Sequence, residues 1–172
     1  MIDEKELVGG GVALLVKDDL TITREIELPV DIFSLQERTD IEIVGASIKL
    51  GIKEVSFFSY YNPPETNISE KLLGYIAKEQ DYVIMGDLNA RMSIHGGTNK
   101  VGIELEKSLR KMDAKILNDA HKPTFYRYIH GDLASTSTLD LIITNETTST
   151  LINKIELKEV SALLDIHSDR SS

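Results

Sequence analysis

The chain has 172 residues, of which 41% are hydrophobic, which is enough for about one domain with a real core. Its formal net charge of −9 argues against a general nucleic-acid-binding protein, which usually carries a basic face, but leaves room for a divalent-metal enzyme with clustered carboxylates. The chain has no cysteine, which excludes disulfides and thiolate metal sites. With no signal-peptide pattern and no apolar run long enough to span a bilayer, we expect an intracellular protein without membrane partners.

The first third of the chain predicts strands. Gly9, Gly10 and Gly11 lead into the apolar run Val12–Val16, which predicts a strand rather than a phosphate-binding loop, because no Gly-Lys-Ser/Thr and no helix follow. Residues 22–28 alternate as a half-exposed strand does. Residues 41–50 and 53–59 predict two more strands, and the two prolines that follow at 63 and 64 force a loop.

The middle of the chain predicts two helices around a buried strand. Ser69 is placed to cap a helix over 70–79 whose apolar residues recur at helical spacing. The run Tyr82–Met85 is typical of a buried strand, residues 91–100 of a loop, and 102–112 of a second helix. The predicted buried stripe of the first helix consists of Leu72, Leu73 and Ile76.

The last third again favours extended segments, at 115–118, from 123 onwards, at 139–144 and, by alternation, at 151–160. Strands outnumber helices, and the helices fall between strands. The sequence therefore predicts one layered α/β or α+β domain over residues 1–172.

The five residues Gly86 to Ala90 are the most informative. They follow the buried strand, so period-two alternation predicts that Asp87 and Asn89 point to the same side of the sheet end. An acid and an amide that converge there can hold a water near a phosphate, with the acid as base. The alternative interpretation is a strand followed by an ordinary Asp/Asn turn.

Polar residues elsewhere could contribute to the same site. Asp140 lies within a strand-forming run, so it is expected to be partly buried and to need a partner. The alternative to a functional role is a structural one, in which backbone donors or a salt bridge satisfy it. His95, His121 and His130 show no metal-ligand spacing and are read as loop histidines. His167 is read as a surface histidine.

The ordered segments GGGVALLV, YYNPP, VIMGDLNA, GTNKVGIELEKSL, ILNDAHKPTFYR, STLDLIIT and HSDRSS resemble the endonuclease/exonuclease/phosphatase superfamily. Specifically, they are similar to the apurinic-type endonuclease domain of non-LTR retrotransposons, from about Gly9 to the last residue. The resemblance implies a four-layer α/β/β/α sandwich and phosphodiester hydrolysis with Mg²⁺ or Mn²⁺. It also implies DNA as the partner, a reverse transcriptase domain in a longer parent protein, and a nuclear location.

The resemblance also implies catalytic roles for four residues. Asp87 would orient or deprotonate the attacking water, and Asn89 would hold that water and the phosphate. Tyr61 would touch the phosphate or help the leaving group. Asp140 would pair with the family's catalytic histidine.

Three further residues take supporting roles by resemblance. Ser137 would contact the DNA backbone or support the site, and Asp169 would bind or steer the metal. The family's final Ser-Asp-His reads Ser168-Asp169-Arg170 here. Arg170 can neutralise a phosphate or form a bidentate salt bridge with Asp140, but it cannot exchange a proton near neutral pH.

The sequence departs from the family in two more places. No strand carrying the family's metal-binding glutamate precedes Gly9, and Glu37 lies on the wrong side of the glycine-rich strand to replace it. The family's last strand is also missing. We therefore expect a partial domain with weak or no catalysis. The alternatives are a non-catalytic remnant or binding module of the same fold, and a metal-dependent phosphatase acting on a small substrate.

Overall fold

A computed structural model describes residues 11–32, 40–119 and 122–152. These form eight strands, three complete α-helices and a short 3-10 helix at Ser93–His95. The strands are β1 Thr21–Glu25, β2 Glu42–Leu50, β3 Lys53–Tyr61, β4 Tyr82–Asp87, β5 Ala114–Ile116, β6 Phe125–Ile129, β7 Asp132–Ser137 and β8 Asp140–Asn145. The helices are α1 Glu70–Ile76, α2 Lys100–Lys111 and α3 Glu146–Ile152.

Six strands make one mixed sheet in the order β1-β2-β3-β4-β8-β5, and β6 and β7 form a separate two-stranded sheet. β2 and β3 pair antiparallel over their whole length, whereas β3 and β4 run parallel because α1 lies in the connection between them. β8 pairs antiparallel with both β4 and β5. β4 is therefore a central strand, and its end is surrounded by the ends of β3 and β8.

The main core lies between this sheet and the helices α1 and α2. Phe58 and Tyr60 lie on the same face of β3, toward the helices, and are fully buried. Burying side chains of this size removes about 150–250 Å² of each from water, which is a large share of the hydrophobic stabilisation. The helices contribute to the same cluster with Leu72, Leu73, Ile76, Val101, Leu105 and Leu109.

Most of the predicted elements are confirmed. The strands β2, β3, β4 and β8 and the helices α1 and α2 lie where the sequence places them, within a few residues. The Ser69 side chain caps α1 by accepting a hydrogen bond from the Leu72 amide at 3.1 Å. The described part of the chain contains no helix that is both long enough and apolar enough to cross a membrane.

Two predictions at the edges of the fold are wrong, and a third, the strand over 22–28, is confirmed only in part. The run Val12–Val16 alternates in exposure but forms no strand, because apolar alternation does not supply a hydrogen-bonded partner. β1 ends at Glu25, and all five of its residues are exposed rather than half-buried. Residues 151 and 152 belong to α3, which Asn145 caps through the Thr148 amide at 3.0 Å, and the rest of that predicted strand lies outside the described residues.

Candidate active site

Three of the predicted catalytic residues lie in one row across neighbouring strands. Asp87, the last residue of β4, pairs directly with Asp140, the first residue of β8. In the parallel pairing of β3 with β4, Ser59 faces Met85, so Tyr61 lies beside Asp87 two residues further on. We call Tyr61, Asp87 and Asp140 the strand-end row.

The strand-end row faces away from the helices. Tyr60, Ile84 and Leu141 alternate with the row residues, and all three belong to the helix-side core. Residues that face each other directly across antiparallel strands have Cβ atoms about 4.5–5.5 Å apart. The carboxyl groups of Asp87 and Asp140 are therefore neighbours, at the end of the sheet where the chain leaves for its loops.

The environment of Asp87 makes it a better base than an ordinary aspartate. Burial raises the pKa of the Asp87 carboxyl, the Asn89 amide opposes this by donating to it, and the negative charge of Asp140 raises the pKa further. A carboxyl whose pKa is shifted toward the working pH gains basicity for proton abstraction. The direction of the shift thus agrees with the role predicted for Asp87.

The link between Asp87 and Asn89 is an Asp/Asn turn, not a continuation of the strand. β4 ends at Asp87, and Asn89 adopts a left-handed backbone with φ 47°. The Asp87 Oδ1 accepts a hydrogen bond from the Asn89 amide at 2.9 Å. The prediction from strand alternation is therefore wrong about the backbone, although the two residues are in contact. Asparagine is among the residues that tolerate a left-handed backbone in turns.

Asn62 joins the loops that follow β3 and β4. It is fully buried, and its side chain donates to the carbonyl oxygens of Thr66 at 2.9 Å and Pro63 at 3.3 Å. Its backbone amide donates to the Asp87 carbonyl at 2.9 Å, and its own carbonyl accepts from the Asn89 Nδ2 at 3.0 Å. Asn62 thus fixes the distance between the Tyr61 loop and the Asp87 loop.

The start of β8 is held by two side chains that sequence reasoning did not select. The Thr124 Oγ1 accepts from the amides of Leu139 and Asp140, both at 3.1 Å. The Asn118 side chain donates to the Asp140 carbonyl at 3.0 Å and accepts from the Ile142 amide at 2.7 Å. All these bonds reach the main chain. Among the described residues no donor contacts the Asp140 carboxylate, which is therefore left to face Asp87.

Thr124→Val tests this anchoring. Valine keeps the shape of the side chain but leaves the amides of Leu139 and Asp140 without an acceptor, so we expect the free energy of unfolding to fall by about 1–3 kcal/mol. The measurement is urea denaturation, with Thr136→Val, an exposed threonine of β7, as the control. Equal midpoints for the two variants would contradict a role of Thr124 in holding β8.

The supporting residues predicted by resemblance are only partly described. Ser137 ends β7, and its carbonyl accepts from the Thr124 amide at 3.0 Å, which places it next to the anchored start of β8. Asp169 and Arg170 lie outside the described residues, so the predicted salt bridge of Arg170 with Asp140 stays a prediction. His167 lies outside them as well.

The side chains of the strand-end row carry oxygen atoms, which are the type of ligand that Mg²⁺ prefers. The described residues contain no group of three or more acidic, histidine or cysteine side chains that could hold a metal ion. Asp87 and Asp140 are two adjacent carboxylates, however, and Mg²⁺ in phosphate enzymes is typically held by one or two carboxylates together with substrate phosphates and water.

Solved structures include proteins similar to this chain. The endonuclease domain of TRAS1, described as a telomere-specific non-LTR retrotransposon, is 26% identical, with a TM-score of 0.52, over 61% of this chain and 51% of that one. This chain thus spans about half the length of that domain.

Two weaker matches are an endonuclease/exonuclease/phosphatase family protein from Leptotrichia buccalis C-1013-b and a beta toxin from Staphylococcus aureus. They are 20% and 18% identical, with TM-scores of 0.45 and 0.42, and each covers 60% of this chain and 42% of the other. At these scores neither carries weight for the fold or the site. No curated protein matches the chain.

The sequence profile of one family matches residues 55–169, which is more than half of the chain and includes the whole strand-end row. The match agrees with the likeness to a retrotransposon endonuclease domain and with the α/β fold. The chain therefore belongs to the endonuclease-reverse transcriptase family.

Proposed function

We propose that the chain is a retrotransposon-type DNA endonuclease domain that hydrolyses phosphodiester bonds with Mg²⁺ or Mn²⁺. The observation that carries the proposal is the strand-end row, in which Tyr61, Asp87 and Asp140 lie side by side on one face at the end of three adjacent strands. The family match extends over all three residues.

In this proposal each side chain has one task. Asp87, whose pKa is raised by burial, takes the proton of the attacking water. Asn89 uses one side-chain hydrogen on the Asn62 carbonyl, so its other amide hydrogen and its Oδ1 are free to orient the phosphate and the water. Tyr61 makes no hydrogen bond to the described residues, so its hydroxyl can meet a phosphate oxygen or the leaving group.

Asp140 completes the site by its charge. It faces Asp87 from β8, and the proposed partner of its carboxylate is Arg170, which stands where the family has histidine. The resemblance assigns the divalent cation to Asp169, and that cation would supply charge neutralisation at the phosphate. Since arginine does not release a proton near neutral pH, we propose weak catalysis, with a loss of about 10²–10⁴-fold relative to a site with a working general acid.

The substrate and the setting follow from the same family. We propose DNA as the substrate, a reverse transcriptase domain as a neighbour in a longer parent protein, and the nucleus as the place of action. The net charge of −9 is unfavourable for binding a polyanion without divalent cations. It favours, as the second candidate, a phosphatase that uses the same row on a small phosphate ester.

The test is nicking of supercoiled plasmid in Mg²⁺ or Mn²⁺, with EDTA as the blank. We expect slow nicking that Asp87→Ala abolishes and that Glu54→Gln, an exposed change at the other end of β3, leaves unchanged. Folded protein that binds plasmid without nicking it would overturn the catalytic proposal in favour of a binding module. Hydrolysis of p-nitrophenyl phosphate without nicking would favour the phosphatase.

A further inference from the structure

The loop that carries Asn89 is hydrogen-bonded to the N-terminal end of α2. The Asn99 Nδ2 donates to the Asn89 carbonyl at 2.8 Å. The Oδ1 of the same side chain accepts from the Gly102 amide at 2.7 Å and from the Arg91 amide at 3.0 Å. The Asn99 amide in turn donates to the Arg91 carbonyl at 3.3 Å. We call Asn99, Gly102 and these contacts the α2 clamp.

The α2 clamp depends on close backbone approach. A Cβ added to Gly102 would lie 1.9 Å from the Arg91 carbonyl oxygen, which is far inside van der Waals contact. The first turn of the helix is therefore pressed directly against the loop, and only glycine permits this. An N-cap residue normally satisfies its own helix alone. The Asn99 Oδ1 caps the helix, and the Asn99 Nδ2 donates to the Asn89 carbonyl.

The α2 clamp contacts Asn89, a residue with an uncommon backbone conformation. Asn89 has φ 47°, a left-handed conformation that asparagine tolerates but that is uncommon outside glycine, and three contacts fix it there. Its amide is fixed by Asp87, its side chain by the Asn62 carbonyl, and its carbonyl by Asn99. Of these three restraints, the one from Asn99 comes from the N-cap of α2, whereas the others come from the end of β4 and from the loop after β3.

We propose that Asn99 is a positioning residue of the site, which acts through the Asn89 carbonyl to hold Asn89 and the Asp87 turn in the geometry that the substrate meets. This inference rests on the proposed function for its catalytic consequence, but the positioning itself is a property of the folded chain. Both polar atoms of the Asn99 side chain are engaged by main-chain groups, so its removal is expected to affect the rate rather than the binding.

Asn99→Ser separates the two tasks of the side chain. Serine is an equally good N-cap and keeps an oxygen for the Gly102 amide, but it has no nitrogen for the Asn89 carbonyl. Asn145→Ser is the matched control. Asn145 caps α3 through Thr148 and donates its Nδ2 to the Gln80 carbonyl at 2.7 Å, at the opposite end of β8 from Asp140. The two substitutions therefore remove the same kind of bond.

The first readout is hydrogen exchange of the Asn89 amide by NMR, which does not require activity. We expect Asn99→Ser to lose protection there by about tenfold or more, while Asn145→Ser does not. The second readout is nicking kinetics, where we expect kcat to fall roughly 10²-fold with KM unchanged, as for a misplaced catalytic group. If Asn99→Ser does not fold, Asn99→Asp, which also keeps the capping oxygen, replaces it.

The outcomes separate this inference from the proposed function. Loss of protection in Asn99→Ser with no nicking by the wild-type protein would support the positioning and refute the endonuclease. Equal protection of Asn89 in Asn99→Ser and Asn145→Ser would overturn the positioning, whatever the wild-type activity. A rise in KM with unchanged kcat would also overturn it, since it would make Asn99 a binding residue.

Discussion

Gly86→Ala is expected to lower the free energy of unfolding by about 4 kcal/mol or more, which is a large part of the stability of a domain of this size. Gly86 has φ 146°, which L side chains rarely adopt. A Cβ there would lie 2.0 Å from the carbonyl oxygen of Tyr60 and 2.9 Å from its carbonyl carbon. Neither is a flexible side-chain end that could move aside. The measurement is urea denaturation followed by circular dichroism.

Gly74→Ala is the matched control for Gly86→Ala. Gly74 lies within α1, and a Cβ there would meet nothing within 4 Å. Because alanine has the higher helix propensity, we expect Gly74→Ala to raise stability by about 1 kcal/mol. A Gly86→Ala protein with the wild-type denaturation midpoint would contradict the close approach of β4 to the Tyr60 backbone.

The same close approach explains the geometry of the site. With glycine at position 86, the end of β4 can lie against the Tyr60 main chain, and the parallel pairing continues until the Asn62 amide meets the Asp87 carbonyl. This brings Tyr61 and Asp87 to the same level. The glycine of the GDLNA motif therefore has a structural task that is distinct from turning the chain after the strand.

The strands around the site could be predicted from the sequence because they are strongly apolar and bounded by turn residues. Tyr82 to Met85 and 139–144 are short apolar runs, and both became neighbouring strands of one sheet. Their partnership could not be predicted from periodicity, because nothing local fixes the register of strands some fifty residues apart. The pairing of Asp87 with Asp140 is a tertiary fact, and only the resemblance to a family pointed to a common site.

The wrongly predicted strand and the site residues that were not predicted also have physical explanations. The strand predicted over 151–160 rested on the alternation of Ile152 with the apolar residues after it, whereas residues 151 and 152 belong to a helix that begins after the Asn145 cap. Asn99, Asn118 and Thr124 were not selected, because their side chains bond the main chain of residues ten or more positions away. Asn62 was not selected either, because its link to the Asp87 loop is made by its own main chain. A polar residue of this kind looks like an ordinary loop residue until the fold places its partner.

Asp87→Asn is expected to abolish nicking while making the folded protein more stable at neutral pH. Asparagine cannot accept the proton of the water, so a loss of about 10²–10⁴-fold is expected. Its oxygen can still accept from the Asn89 amide, so the turn is preserved. Burial and the charge of Asp140 raise the pKa of Asp87 in the folded state, so the ionised carboxylate destabilises that state above the pKa. Its removal should add about 1 kcal/mol at pH 7.

The pH dependence distinguishes this explanation from better packing. Because the pKa of Asp87 is higher in the folded than in the unfolded chain, the folded protein binds the proton first as the pH falls. The stability advantage of Asp87→Asn should therefore be full well above the folded pKa and shrink as the pH falls through it toward about 3.9, the usual value of an unfolded aspartate. Urea denaturation at pH 7 and pH 4 measures this, with Glu54→Gln as the control. An advantage that stays constant with pH would mean that the ionised carboxylate is not its cause, and that the folded chain does not raise the pKa of Asp87.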